Sequence, residues 1–383
     1  YLRLASLFGD VPLVTTEITL EESAKLTRAP VSQIYDFIST ELEAAAAVLP
    51  LTTADKGRVT KGVALALNAR AMLYAGRFTE AAAFARQVID LQVYSLYPSY
   101  KNLFSYAAEN NEEVIFDIQF IHDVYSNASF STMAPYSQKN GAGRYVPTKK
   151  LVDKYEMING KKISDPTSGF DPRNPYKDRD PRLGYSIYVL GDELPDGSAY
   201  DPRPNSGTAD AIGFTFQSTH TGFNLKKYIN KEDLALPGNN GINYILLRYA
   251  EVLLTYAEAK IEAGDIDQSV ANAINLVRQR ADVNLPPISL GSQAELREAV
   301  RHEREVELAY EGLHFFDIRR WRTAEQVLPG KIYGMTYVNG NDELVTIEEP
   351  GWENFFRSDR DYLWPIPQKE IELNDQLTQN PNW

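Results

Sequence analysis

Apolar positions recur at helical spacing in two separated parts of the chain. From Gly57 to Asp90, GRVTKGVALALNARAMLYAGRFTEAAAFARQVID predicts two antiparallel helices reversing near Gly76. The second helix carries Phe78, Ala81, Ala82, Ala85, Val88 and Ile89 at i, i+3, i+4, i+7 spacing, a single buried stripe. The first is crowded with alanine, which lets helices approach closely, and Phe78 is placed to plug the base of the hairpin. A second pair is predicted from Leu246 to Ala281, in LLRYAEVLLTYAEAKIEAGDIDQSVANAINLVRQRA, with Gly264 at its bend. Leu246, Tyr249, Ala250, Leu253, Ala257 and Ile261 form the stripe of its first helix. Ile266, Val270, Ala273, Ile274 and Val277 form that of the second.

Each pair follows the logic of a tetratricopeptide-type unit. Between them, from about Glu112 to Asn243, the pattern changes. A strand-like EVIFDIQF and a helical TKKLVDKYEMING are set among stretches rich in Pro, Gly, Asn, Asp and Tyr, such as SDPTSGFDPRNPYKDRDPR. The chain therefore reads as mostly α: tetratricopeptide-like helical pairs forming a scaffold, with a large loop-rich insertion and short strands. We expect a single domain over residues 1–383. Within it lie an N-terminal helical part (31–110) containing the hairpin 57–90, an insertion (112–243), a second helical part (244–325) and C-terminal loops and strands (326–383). Long ordered loops on a helical scaffold are where binding residues usually sit.

Composition narrows the function. A net charge of −13 and an isoelectric point near 5.0 repel nucleic acid and anionic membrane surfaces. With no cysteine, disulfides, thiolate metal sites and cysteine nucleophiles are excluded. No run of eighteen apolar residues is present to span a bilayer. The opening YLRLASLFGDVPLVT is an apolar helical pattern without a capping residue, so native residues are expected upstream of Tyr1.

Catalytic signatures are scarce. His122, His220, His302 and His314 are scattered, with no ligand-spaced pair, and no nucleophile elbow, P-loop or dinucleotide fingerprint occurs. Glycosidases need no sequence signature, only two carboxylates about 5 to 9.5 Å apart, so the acidic stretch EREVELAYEGLHFFDIRRW (303–321) has to be weighed. Continuing the face of Leu296, Ala299 and Val300 in steps of three and four lands on Glu303 and Glu307, before Tyr310 and Leu313. Carboxylates on a buried stripe need ionic partners, and Arg278, Arg280, Arg319 and Arg320 are the candidates. This reading makes the cluster structural. For the DPRNPYKDRDPR loop, Asp171, Asp178 and Asp180 lack the spacing of an EF-hand, and Asp-Pro turns with arginine pairing are expected instead.

Tyrosine is abundant, 23 residues against 16 phenylalanines, and much of it falls in loops: Tyr125, Tyr136, Tyr145, Tyr176 and Tyr200, with Phe130 and Trp352. Flat rings offer the C–H face of a sugar a rigid surface, while neighbouring amides bind its hydroxyls.

Several long motifs occur in a specific order: LFGDVPLV, GRVTKGVALALNARAMLYAGRF, NEEVIF, RDPRL, LLRYAEVLLTYAEA, INLVRQRA, EREVELAYEGLHFFDIRRW and YLWPIPQKEIELNDQLTQNP. Together they resemble the SusD/RagB family of outer-membrane nutrient-binding lipoproteins of Bacteroidetes, over essentially the whole length. The resemblance implies a tetratricopeptide-like scaffold and a lipid anchor on an N-terminal cysteine upstream of this chain. It also implies an extracellular position at the outer membrane and a SusC-like TonB-dependent transporter as partner. Members bind glycans, or in some cases peptides, and are not enzymes; no cofactor is implied. In the starch-binding member, some ligand contacts come from a portion N-terminal to the residues matched here, and others from loops between the NEEVIF-like strand and the LLRYAEVLL helix. The matching region here, IHDVYSNASFSTMAPYSQKNGAGRYVP, nominates Tyr125, Phe130, Tyr136 and Tyr145 as stacking rings, with Asn127 and Asn140 as hydroxyl partners. Tyr176, Tyr200 and Trp352 are the next candidates.

Overall fold

The computed structural model describes residues 1–383. Eight helices build the scaffold: α1 (Leu2–Phe8), α2 (Val31–Val48), α3 (Lys61–Tyr74), α4 (Phe78–Asp90), α5 (Tyr249–Ala263), α6 (Gln268–Arg278), α7 (Gln293–Glu307) and α8 (His314–Arg320). Helix α5 is central, packing against α4, α6 and α7. It is buried almost all round, which is why its sequence is apolar beyond a single stripe. Helix α3 behaves likewise: its alanines let α2 and α4 close on both sides, and Gly62 leaves room for the Tyr94 ring. The hinges after α3 and α5 fall at Gly76 and Gly264, whose left-handed φ of 72° and 75° a side chain would resist. One apolar core joins both hairpins, through Ile34, Met72, Leu73, Val88, Leu254, Ile261, Ile274 and Val300.

Three two-stranded antiparallel pairs complete the fold: β1 (Val114–Ile118) with β4 (Tyr244–Arg248), β2 (Ile187–Tyr188) with β3 (Asn224–Leu225), and β5 (Gly330–Val338) with β6 (Leu344–Asn354). The structure is thus mostly helical with short strands. It moves two expected boundaries: of the helical TKKLVDKYEMING only Lys149–Val152 forms a helix, and the start of α5 shifts. Leu246 belongs to β4 rather than to α5, because Tyr244–Arg248 pairs with β1 before the chain turns into the helix at Tyr249. Between Ile118 and Tyr244 only short helices and two-residue strands interrupt the loops. No helix is long and apolar enough to cross a membrane.

Candidate functional site

The acidic stretch around α7 and α8 is an ion-pair core. Glu303 and Glu307 have no exposed side-chain surface. Glu303 accepts from Arg182 at 2.5 Å and Arg278 at 2.9 Å. Glu307 accepts from Arg248 at 2.7 Å, Arg280 at 2.8 Å and Arg182 at 2.9 Å. Glu311 pairs with Arg248 and Lys227, Asp317 with Arg304 and Arg320, and Glu305 with Lys154. Burial alone would raise the Glu307 carboxyl, but Arg280, Arg248 and Arg182 overcome it and hold the group well below the usual carboxylate range. Burial also pushes Lys227 down to about 8, against the pull of Glu311. Of the partners expected for the two glutamates, Arg278 and Arg280 are in place. Arg319 and Arg320 are not: Arg320 serves Glu258 and Asp317, and Arg319 stacks over Phe315 at 3.6 Å. The DPRNPYKDRDPR loop ends in the same network, since Asp180 grips Arg182 at 2.8 Å, while Asp171 caps its own turn by accepting from Arg173 and Asn174. No solvent reaches Glu303 or Glu307, so they offer a substrate nothing.

The surface features that could meet a ligand lie at the open end of the β1–β4 pair. Just past β1, Phe120 donates its backbone N–H to Asn243 at 2.8 Å. Residues 121–125 then close on themselves, with Ile121 and Tyr125 exchanging backbone hydrogen bonds around Asp123 at φ 64°. The closure lays the Tyr125 ring flat on Phe120, centroids 5.2 Å apart and planes 7° from parallel. Tyr125 remains 61% exposed, so its outer face is open. Phe120 stands edge-on to Tyr244 at 5.6 Å, and Tyr244 edge-on to Tyr228 at 5.2 Å. Burial raises the Tyr244 phenol, and Tyr145, further along the same loop, is half-exposed.

The ledge is held rigidly. Asp123 and Asn239 exchange hydrogen bonds at 2.9 and 2.6 Å, and His122 bonds the Asn239 carbonyl while stacking on Tyr106. Backbone bridges join Asn127 and Asn240. A Cβ at Gly241 would stand 2.9 Å from the His122 ring, so only glycine permits this approach. On the other flank, Gln119 bonds Asp117 at 2.6 Å and leads to a cleft of about 360 Å³ lined by Lys56, Thr60, Asn110, Asn111 and Asp117. Ring faces, amides and carboxylates in one preorganised strip suit a polyhydroxylated ligand.

The nominated residues divide. Tyr125 stands on the ledge, and Tyr145 is half-exposed without a ring contact to it. Phe130 does not stand there: it is wholly buried, because Ser129–Met133 forms a short helix whose Phe130 and Met133 turn inward together. The Asn127 amide is occupied, donating to the Ile242 carbonyl at 2.9 Å and capping Ser129 at 3.0 Å, so it shapes the loop. Tyr136 is half-buried and pairs with none of the ledge rings; Asn140 is exposed, at φ 56°. Of the reserve candidates, Tyr200 is buried, Tyr176 half-buried, and Trp352 is 65% exposed on β6. Phe120, Tyr244, His122 and Asn239 were missed. Their signal was weak, since the apolar run into Phe120 reads as strand core.

Comparison with known proteins bears on the same question. Residues 112–383 match the model described as SusD family, and residues 1–73 match one described as starch-binding associating with outer membrane. The chain belongs to the SusD family. Its sequence is 27% identical to SusD-like protein P2 of Formosa agariphila, covering 99% of this chain and 71% of that relative. Among solved structures, a SusD-like carbohydrate binding protein from Bacteroides fragilis NCTC 9343 superposes with a TM-score of 0.88 at 33% identity, covering 98% of this chain and 77% of the other. A laminarin binding SusD-like protein, at 22% identity and TM-score 0.64 over 99% and 75% of the two chains, shares the fold. SusD membership thus brings a carbohydrate-binding family and, by the family description, association with the outer membrane.

Proposed function

We propose that this SusD-family chain captures extracellular oligo- or polysaccharides without cleaving them and delivers them to a SusC-like TonB-dependent transporter. It acts at the extracellular face of the outer membrane, attached through an N-terminal lipid anchor. The observation that carries the binding reading is the Tyr125 ring, backed by Phe120, open on its outer face and flanked by the polar strip from Gln119 to Asn239. Such a ring presents a sugar with a flat apolar surface already fixed in place, so little entropy is lost on binding. Tyr125 is assigned as the central contact, with Tyr145, Asn140 and Tyr136 as further candidates from the same loop. Non-catalytic capture is supported by the ion-paired state of the acidic stretch, and the transporter, anchor and location by family membership.

The test is a glycan array followed by calorimetry, with a peptide pool run in parallel. Saturable binding to one class of oligosaccharide, lost in Tyr125→Ala, is expected. Binding to peptides alone would replace the glycan reading with the peptide-binding alternative. Co-purification with the transporter from outer membranes tests the delivery step.

A further inference from the structure

A cleft of about 910 Å³ opens where α1, the first turn of α2, the hinge after α3, α8 and the C-terminal segment meet. None of the ledge residues lines it. Its charged wall carries five arginines, Arg28, Arg77, Arg319, Arg320 and Arg322, against Asp10 and Asp36. The acids are engaged: Asp36 pairs with Arg77 at 2.6 Å, and Asp10 accepts the backbone N–H of Val31 at 2.7 Å. Arg320 is matched by Glu258 and Asp317. The remaining three have no carboxylate in ion-pair contact. Arg28 donates to the carbonyls of Phe8, Asp10 and Thr378 and to the Asn380 amide; Arg319 reaches only the Phe315 carbonyl, at 3.4 Å; Arg322 lies over the Tyr362 ring at 4.2 Å.

Three donors on this wall are buried without a hydrogen-bond partner, the Tyr74 and Tyr362 hydroxyls and the Nε–H of Arg319. Buried donors are ordinarily satisfied, so three orphans beside unmatched cations call for acceptors from outside the chain. Burial, with Asp317 adding, raises the Tyr74 phenol, which keeps its proton available for donation. Arg322 is held at φ 56°, the left-handed position after a helix that glycine usually fills. The Tyr74 and Phe316 rings stack at 5.7 Å, giving the cleft an apolar surface next to its donors. A bare inorganic ion would fill little of such a volume, which matches that of small-molecule sites.

We propose that this cleft binds a small organic molecule bearing an oxyanion, a carboxylate or sulfate group such as an acidic sugar carries. Arg319, Arg322 and the Tyr74 hydroxyl hold the anion, and the Tyr74 and Phe316 rings meet the carbon skeleton. The site uses different residues from the proposed glycan ledge and stands or falls without it.

Calorimetric titration of the full chain with glucuronate, and separately with inorganic sulfate, tests the assignment at low ionic strength. Saturable binding of at least one probe is expected, weakening as salt rises. Arg322→Gln, whose side chain is exposed, should weaken it tenfold or more, and Tyr74→Phe, which removes only the hydroxyl, severalfold. Tyr125→Ala should leave it unchanged. Glucuronate without sulfate assigns a carboxylate carrier, and sulfate binding assigns a sulfate group; both support the site. No saturable binding of either probe, or binding unaffected by both Arg322→Gln and Tyr74→Phe, overturns the proposal. Thermal melts confirm that the variants are folded.

Discussion

Tyr125 lies flat on Phe120, 5.2 Å between centroids, and turns its other face to solvent. One ring anchors and the other is presented. A side chain backed in this way keeps its orientation without a ligand, and aromatic anchors of that kind dominate binding energy in other interfaces.

Tyr125→Ala should therefore cost about 2 kcal/mol of glycan binding, more than tenfold in affinity, with the melting temperature nearly unchanged. Phe130→Ala should do the opposite. Its ring is wholly buried, so truncation costs about 3–5 kcal/mol of stability, while the surviving folded protein keeps its affinity. Calorimetry and thermal melts on both variants check this, and stability loss in Tyr125→Ala with affinity retained would move the site off the ledge.

Glu303 and Glu307 should act as scaffold residues. Removing one partner of a buried pair strands the other charge, at about 3–5 kcal/mol. Glu307→Ala leaves Arg182, Arg248 and Arg280 each short of an acceptor and should be among the most destabilising single substitutions in the chain. Glu305→Ala, whose partner Lys154 is largely exposed, should cost well under about 1 kcal/mol. Denaturant melts of Glu303→Ala, Glu307→Ala and Glu305→Ala rank them.

Much of this was legible beforehand and some of it was not, for identifiable reasons. The stripe Val270, Ala273, Ile274 and Val277 predicts the buried face of α6 because helical period and burial are both local. The partners of Glu307 are not local. Arg182 and Arg248 lie 125 and 59 residues away in sequence, and only the folding of the insertion onto β4 and α7 brings them in. Within the loop, Tyr125 and Phe130 look alike as aromatic residues among Ser and Asn. What separates them is the single helical turn Ser129–Met133, too short for periodicity to announce. Tyr244 was hidden for a related reason: β4 and α5 form one apolar run in sequence, and the strand pairing that divides them is long-range.

Acid should unfold the protein through the same carboxylates. Glu307, Glu311 and Asp317 are buried, which opposes ionisation, yet their arginine and lysine partners depress their folded-state pKa values below the ordinary 4.5 and 3.8. A depressed carboxylate stabilises fully above its unfolded value, and that stability is lost as the unfolded chain takes up protons the folded one refuses. Melting temperature should hold down to about pH 5 and then fall steeply as pH drops through about 4.5. Glu307→Gln should start lower and fall less steeply over this window, as a pH series of melts would register.

The last expectation concerns turnover. A glycosidase needs an acid and a second carboxylate facing one bond, about 5 to 9.5 Å apart. The carboxylates of 303–321 are committed to cations. Near the ledge, Glu109 and Asp117 are both raised by burial, and Asp117 lines the polar cleft, so Asp117 is the group a hydrolase acting at the ledge would use. Glu109 is occupied, accepting the Asn243 backbone N–H at 2.9 Å, and it borders only a closed gap of about 10 Å³ with Asp117. That gap admits no glycosidic bond. Purified protein incubated with its bound glycan should release no reducing ends above a no-protein control, and Asp117→Asn should leave that background unchanged. A steady release abolished by Asp117→Asn would make this chain a hydrolase.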